Sequence, residues 1–261
     1  CNGWIVNAKD TLMDFSEQLH QAEIRDSLEK ILSEHCSQEN LKEYDSKFKH
    51  DKNLLSLLSR NGYLGLGLNE KYGGSGEDLY DLGILFEQLG YHAAPLSLSG
   101  CLVDVAQTMQ KFSNERSCKE ILSSIIAGEI YTSAILEPFN QDPENPMTTA
   151  KIENDQLIIS GTKYLSEISS IAKSILISVN SSEGVLLVLV ESDKVKLTEL
   201  ASTANSPLFK VELDSVRISK ESIIHEQGRG LEALRYLIQI NMVMRSYIAL
   251  GITEKMTSLV A

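Results

Sequence analysis

The side chains able to do chemistry are few and far apart. Glu137 stands directly before Pro138 at the end of a short apolar run, and two readings compete: a carboxylate that shapes a loop, or one that acts in a site. The first is the plainer. His92, beside Ala93, Ala94 and Pro95, reads as a packing or capping residue at a helix start. Lys163 reads as a lysine that faces solvent or pairs with an acid, with the steadying of a cofactor edge as the sharper alternative. Arg245, between two apolar helical stretches, is expected to pair with a carboxylate across an interface. Tyr63 and Tyr72 are expected to pack and shape a pocket wall. The four cysteines, Cys1, Cys36, Cys101 and Cys118, lie far apart with neither CxxC spacing nor a histidine at ligand spacing, so no zinc site and no disulfide framework is expected. Cys101, in an apolar run, reads as an ordinary core thiol.

These residues must be positioned by two kinds of element. From Phe15 to about Gly128 apolar residues recur at three- and four-residue steps, as in Ile24, Leu28, Ile31 and Leu32, which predicts helices throughout. Glycine clusters at Asn61-Gly62 and Gly73-Gly74-Ser75-Gly76 predict turns between them. A helix is expected over Leu79–Leu89, stopping at Gly90, with the next beginning at Ala94-Pro95. Near Gly128 the texture changes to short β-branched runs, Ile130–Leu136, Gln156–Ile159, Ser174–Val179, Val185–Val190 and Phe209–Leu213. The intervening Phe139–Thr149, rich in prolines, acids and amides, is expected to be an exposed loop. From Gly230 the helical pattern returns.

The expected fold class is therefore α+β: a helical domain over 15–128, a β-barrel or sandwich over 129–226, and over 227–261 the first helix of an incomplete C-terminal bundle, with 1–14 unassigned. A net charge of −12 and an isoelectric point near 4.9, with the acids scattered, argue against nucleic acid as a partner. No apolar run approaches the roughly 18 residues needed to cross a bilayer, so no membrane span is expected. The start of the chain shows no basic run leading into an apolar one, and a cytoplasmic protein is expected.

Helices, then a β domain, then a helix is also the order of the acyl-CoA dehydrogenase family, and several stretches resemble that family in series. The most specific is Asn61-Gly62-Tyr63-Leu64-Gly65-Leu66 followed by Glu70-Lys71-Tyr72-Gly73-Gly74-Ser75-Gly76. Phe86-Glu87-Gln88-Leu89-Gly90 with Ala94-Pro95, Gly128-Glu129 with Ala134-Ile135-Leu136-Glu137-Pro138, and Ile159-Ser160-Gly161-Thr162-Lys163 are similar to later family motifs. So are Val211-Glu212-Leu213-Asp214-Ser215-Val216-Arg217-Ile218 and Gly228-Arg229-Gly230. In texture the chain looks most like the subgroup whose unlike subunits pair into mixed complexes.

The resemblance implies FAD, an acyl-CoA or other acyl thioester, and a homo- or hetero-oligomer formed through the C-terminal helices. It implies a slot between the helical layer and the β domain, shaped for a flat tricyclic ring and a thioester. Carried over residue by residue, the flavin contacts fall on Leu136, Glu137, Asp142, Leu165 and Ser166. Several depart from the family's pattern: Leu136 replaces a threonine, Asp142 brings a negative charge towards a pyrophosphate, and Leu165 replaces an aromatic residue while Ser166 keeps a hydroxyl. The glutamate that one branch uses as its base is Asn241 here, which cannot accept a proton at neutral pH. Two functional expectations follow. One is FAD-dependent α,β-dehydrogenation of an acyl thioester, with a partner subunit or a longer C-terminal region completing the site. The other is a non-catalytic binding or scaffolding subunit of the same fold. A thioester carried on a carrier protein is a minor variant of the first.

Overall fold

The computed structural model describes residues 17–47, 50–76, 78–202 and 206–260, so the unassigned segment 1–14 lies outside the described residues. Helix α1 (Leu19–His35) starts where Gln18 and Gln21 form a reciprocal capping box, and it buries Leu28 and Leu32 completely. After α2 (Gln38–Lys47), α3 (Lys52–Arg60) is capped by Asp51, whose carboxylate accepts from the backbone N–H groups of Asn53 and Leu54, both at 2.9 Å. Two single turns of 3₁₀ helix, Tyr63–Gly65 and Glu70–Tyr72, then fold the glycine-rich segment back on itself. Gly74 cannot carry a side chain there, since a Cβ would lie 2.1 Å from the Leu68 carbonyl oxygen.

Helix α4 (Leu79–Tyr91) is the centre of the helical layer and is buried from Asp81 to Gly90. His92 is its C-cap residue rather than the start of a helix, and the chain then turns through Ala93 at a φ of +48°. The following helix begins later than Ala94-Pro95. A π-helical stretch, Ser99–Gln107, runs straight into α5 (Thr108–Phe112), because Ala93 to Leu98 are spent on the turn that brings the chain round to the β domain. Helix α6 (Glu115–Ile126), capped by Asn114, closes the layer.

The β domain is one mixed sheet of seven strands: β1 (Tyr131–Ala134), β2 (Thr149–Glu153), β3 (Gln156–Glu167), β4 (Ser174–Ser181), β5 (Gly184–Glu191), β6 (Lys196–Leu200) and β7 (Leu208–Ser219). Their order is β1-β4-β2-β3-β7-β6, with β5 paired antiparallel along the whole of β4. Period-two alternation decides which core each side chain joins. On β4, Ile175, Ile177 and Val179 enter a core within the sheet, while Leu176 packs with Leu187 of β5 against the helices. The long β3–β7 pair shifts register twice, between Ile159 and Gly161 and between Lys163 and Ser166.

Helix α7 (Gly230–Val260) returns across the helical layer and buries Ala233, Leu234, Leu237, Ile240 and Met244 in the same core as α4. The two backbones nearly touch. A Cβ on Gly251 would sit 1.9 Å from the Glu87 carbonyl oxygen, and one on Gly90 would sit 2.3 Å from that of Ile248. Helical region, curled mixed sheet and final helix thus form the expected α+β order. Among the described residues no helix is long and apolar enough to cross a membrane.

Candidate functional site

Three parts of the chain converge on one cleft of about 590 Å³: the helical layer, the end of β3 and the middle of α7. Phe86 and Leu89 of α4, Leu98 and Ile248 supply its apolar wall. His50, Ser97, Glu167 and Arg245 supply the polar one. Glu167 is the last residue of β3, so the strand itself carries the carboxylate to the cleft. Its side chain accepts from the Ser97 hydroxyl and, at 2.9 Å, from Nη2 of Arg245.

The polar wall continues inward as a chain of hydrogen bonds. Arg245 Nε donates to Asn241 Oδ1 at 2.7 Å, one turn back on α7, and Asn241 Nδ2 donates to Asp104 Oδ1 at 2.6 Å. Ser133 Oγ donates to the other oxygen of Asp104 at 2.5 Å. Both carboxylates only accept and every other member donates to them, the polarity that an ionised acid requires. Asp104 sits in the π-helical stretch, almost wholly buried; burial raises its pKa to about 6, against the opposing pull of the bonds from Ser133 and Asn241. Burial pushes the His50 ring the other way, down to about 4 despite the nearby Glu167, so it is neutral at physiological pH. Its two ring nitrogens are shielded from water and have no hydrogen-bond partner among the described residues.

A second cluster lies in the β domain. Lys163 is 0% exposed, and its ammonium donates to Glu137 Oε1 at 2.7 Å and to Ser178 Oγ at 3.0 Å. Glu137 also accepts from the backbone N–H groups of Met147 and Thr148 at 2.6 and 2.8 Å and from the Asn140 amide at 2.8 Å. Burial opposes ionisation of Glu137, yet these bonds hold its pKa down at about 2. Lys163 therefore does not face solvent. The pair ties both ends of the 138–148 loop to the sheet.

The residues singled out in the sequence fall into different places. Tyr164 N donates to the Leu136 carbonyl at 2.8 Å, and the side chains of Leu136 and Leu165 are 49% and 46% exposed. Leu165 stands in the second register shift of β3 at a φ of +57°, a strained conformation for a leucine. Ser166 points inward, donating to the Ser133 carbonyl and accepting from Ser169 Oγ, both at 2.7 Å. Asp142 is a turn residue in the exposed loop, accepting from Glu144 N and the Asn145 amide. Asn241 is the middle link of the polar chain. Glu137 belongs to the buried pair. Tyr63 and Tyr72 are core residues of the helical layer, and the Tyr63 hydroxyl donates to Ser27 Oγ at 2.6 Å.

For a flavin's flat ring the exposed Leu136 and Leu165 offer apolar surface, and neither borders the cleft. The ring's polar edge finds no free hydroxyl at Ser166, and the neighbouring loop offers the acids Asp142 and Glu144, the latter already paired with Arg235. Sequence reasoning missed Asp104, Glu167, Ser97 and His50. Asp104 alone left a signal, an acid inside the apolar run Cys101-Leu102-Val103-Asp104-Val105-Ala106.

A helical layer and a curled sheet share this polar-ended cleft, and a long final helix crosses the layer beside it. Residues 18–129 match the family described as "Acyl-CoA dehydrogenase, N-terminal domain", and the chain is acyl-CoA dehydrogenase-like in sequence and in fold. Acyl-CoA dehydrogenase FadE12 of Mycobacterium tuberculosis is 25% identical over 219 residues, 78% of this chain and 56% of its own length. The chain thus spans little more than half of that curated relative. Among solved structures, the ChsE4-ChsE5 complex from Mycobacterium tuberculosis superposes with a TM-score of 0.86 at 20% identity, covering 93% of this chain and 66% of that one. A glutaryl-CoA dehydrogenase from Mycobacterium smegmatis in complex with FADH2 superposes with a TM-score of 0.78 at 20% identity, covering 90% and 62%.

Proposed function

We propose that this chain binds an acyl thioester in the cleft between α4, β3 and α7 and takes part in FAD-dependent α,β-dehydrogenation of it, completed by further helices or by a partner subunit. The observation that carries this reading is the cleft itself, apolar along α4 and polar where Glu167 and Arg245 meet. Phe86, Leu89 and Leu98 would exclude water from the acyl chain. Leu136 and Leu165 would offer apolar surface to one face of the flavin ring, and the flavin, when bound, supplies the acceptor for the hydride. Asp104 and Asn241 would orient Arg245. Asn241, at the position where one branch keeps its base, cannot accept a proton, which is why a longer chain or a second subunit enters the proposal. Met242, Leu250, Met256 and Leu259 are exposed on α7 and would be covered by those helices or that subunit.

The test pairs calorimetric titration of octanoyl-CoA with a visible absorption spectrum after incubation with FAD. Saturable thioester binding with a bound-flavin spectrum is the expected result. Absence of octanoyl-CoA binding, alone and with a candidate partner subunit, removes the proposal.

A second reading has its own support. Asn241 stands where one branch keeps its base and is fully engaged by Asp104 and Arg245, and Ser166 is spent inside the sheet. A subunit that binds the thioester without reacting it would show thioester binding and no flavin spectrum under any pairing.

A further inference from the structure

Resting on the acyl-thioester reading, we infer that the cleft takes an acyl group carrying an uncharged oxygen, a hydroxyl or a carbonyl, docked between Arg245 and His50, in preference to a plain alkyl chain. Both residues border the same cleft, and the Glu167 carboxylate that bonds Arg245 also acts on the His50 ring. Arg245 borders the cleft with Nε held by Asn241 and Nη2 held by Glu167, which leaves Nη1 with no partner among the described residues. The guanidinium plane is fixed by those two bonds, so the remaining donors point in a set direction at no further cost in order. His50 borders the same cleft with both ring nitrogens shielded and, among the described residues, unpartnered. An unsatisfied buried imidazole costs folding stability, and a guest that supplies the missing partner recovers that cost. A half-turn of the ring about its Cβ–Cγ bond exchanges nitrogens for carbons and offers a guest either an N–H or a lone pair.

Charge decides between a neutral and an anionic guest. Arg245 is flanked by Glu167 directly and by Asp104 through Asn241, so its positive charge is already matched. At Arg245 a carboxylate on the guest would add a third negative group, whereas a hydroxyl or carbonyl accepts from Nη1 without that repulsion; the cleft's other cation, Lys42, stands apart on α2. An alkyl chain would pass the same point, leave the His50 nitrogens unpaired and offer nothing to Nη1 in place of water, since the Arg245 side chain is 55% exposed.

The test uses the full chain and a set of ligands of matched length: octanoyl-CoA, the positional isomers of hydroxy- and keto-octanoyl-CoA, the dicarboxylic suberoyl-CoA, and coenzyme A alone. Calorimetry is expected to show one oxygenated isomer binding about tenfold tighter than octanoyl-CoA, the gain of one hydrogen bond to a charged donor, with suberoyl-CoA no tighter than octanoyl-CoA. His50→Phe removes the orphaned imidazole; it is expected to raise Tm while cutting the preference for the oxygenated isomer severalfold. Arg245→Met is expected to abolish the preference, and the histidine variant keeps the test open if Arg245→Met fails to fold. Octanoyl-CoA binding as tightly as every oxygenated isomer overturns this inference and leaves the acyl-thioester reading standing. So does a preference that survives intact in His50→Phe, or a tighter suberoyl-CoA. If no acyl-CoA binds more tightly than coenzyme A itself, both fall together.

Discussion

Two buried carboxylates of opposite character set the chemistry of individual residues. Glu137 is surrounded by donors and ionised in the folded state down to about pH 2, and Lys163 has no water to turn to if that partner is lost. Replacing Lys163 by methionine strands the carboxylate, and a loss of about 3–5 kcal/mol is expected in urea unfolding. Adding Glu137→Gln to that variant should recover much of it. Asp104 behaves the other way. Its folded pKa, about 6, lies above the ordinary 3.8, so the folded state holds a proton that the unfolded chain releases between those values. Its contribution to stability is then full below 3.8 and is lost as pH rises through about 6. Asp104→Asn keeps the shape, and the difference in Tm between it and the parent should change steadily across that window, the variant gaining as pH rises. A flat difference would show that the carboxylate titrates normally.

At the scale of elements, the contact that holds the cleft open is α4 against α7. Both helices use glycine at the crossing, so the backbones approach without side chains between them. Gly251→Ala would press a methyl group into the Glu87 carbonyl, and thermal unfolding should register a loss of about 1–3 kcal/mol from overpacking. The shift would also move Arg245, which lies less than two turns away on α7, so thioester affinity is expected to fall with stability. Gly184→Ala, at a β-turn with open space around it, provides the contrast: only its φ of +94° is at stake, and affinity should hold.

For the whole molecule, the apolar stretch of α7 predicts association. Met242, Leu250, Met256 and Leu259 are large, exposed and spaced along one long helix. Light scattering is expected to show self-association that weakens when Leu250 and Met256 are changed to glutamate. A monodisperse monomer at high concentration would remove the oligomer from the proposal. Thioester binding by the same variants should be unchanged, because neither residue borders the cleft.

Local rules read directly from the chain determined the helical layer, five of the seven strands (β2 and β6, short and mostly exposed, gave no apolar run), the glycine turns and the long final helix, because periodicity and turn chemistry are properties of neighbours in sequence. The family resemblance came from the same source, since motifs such as Tyr63-Leu64-Gly65 and Glu137-Pro138 are short and contiguous. Tertiary structure alone decided the cleft. Ser97, Glu167 and Arg245 are separated by 70 and 78 residues and meet because α4, β3 and α7 pack together. It also decided that Lys163 is interior and not solvent-facing, that Ser166 turns inward at a register shift, and that Asn241 bonds Asp104 instead of standing alone. Each of these depends on which face a side chain presents and on what has been packed against it, and burial, pairing and pKa arise only once distant segments are in contact.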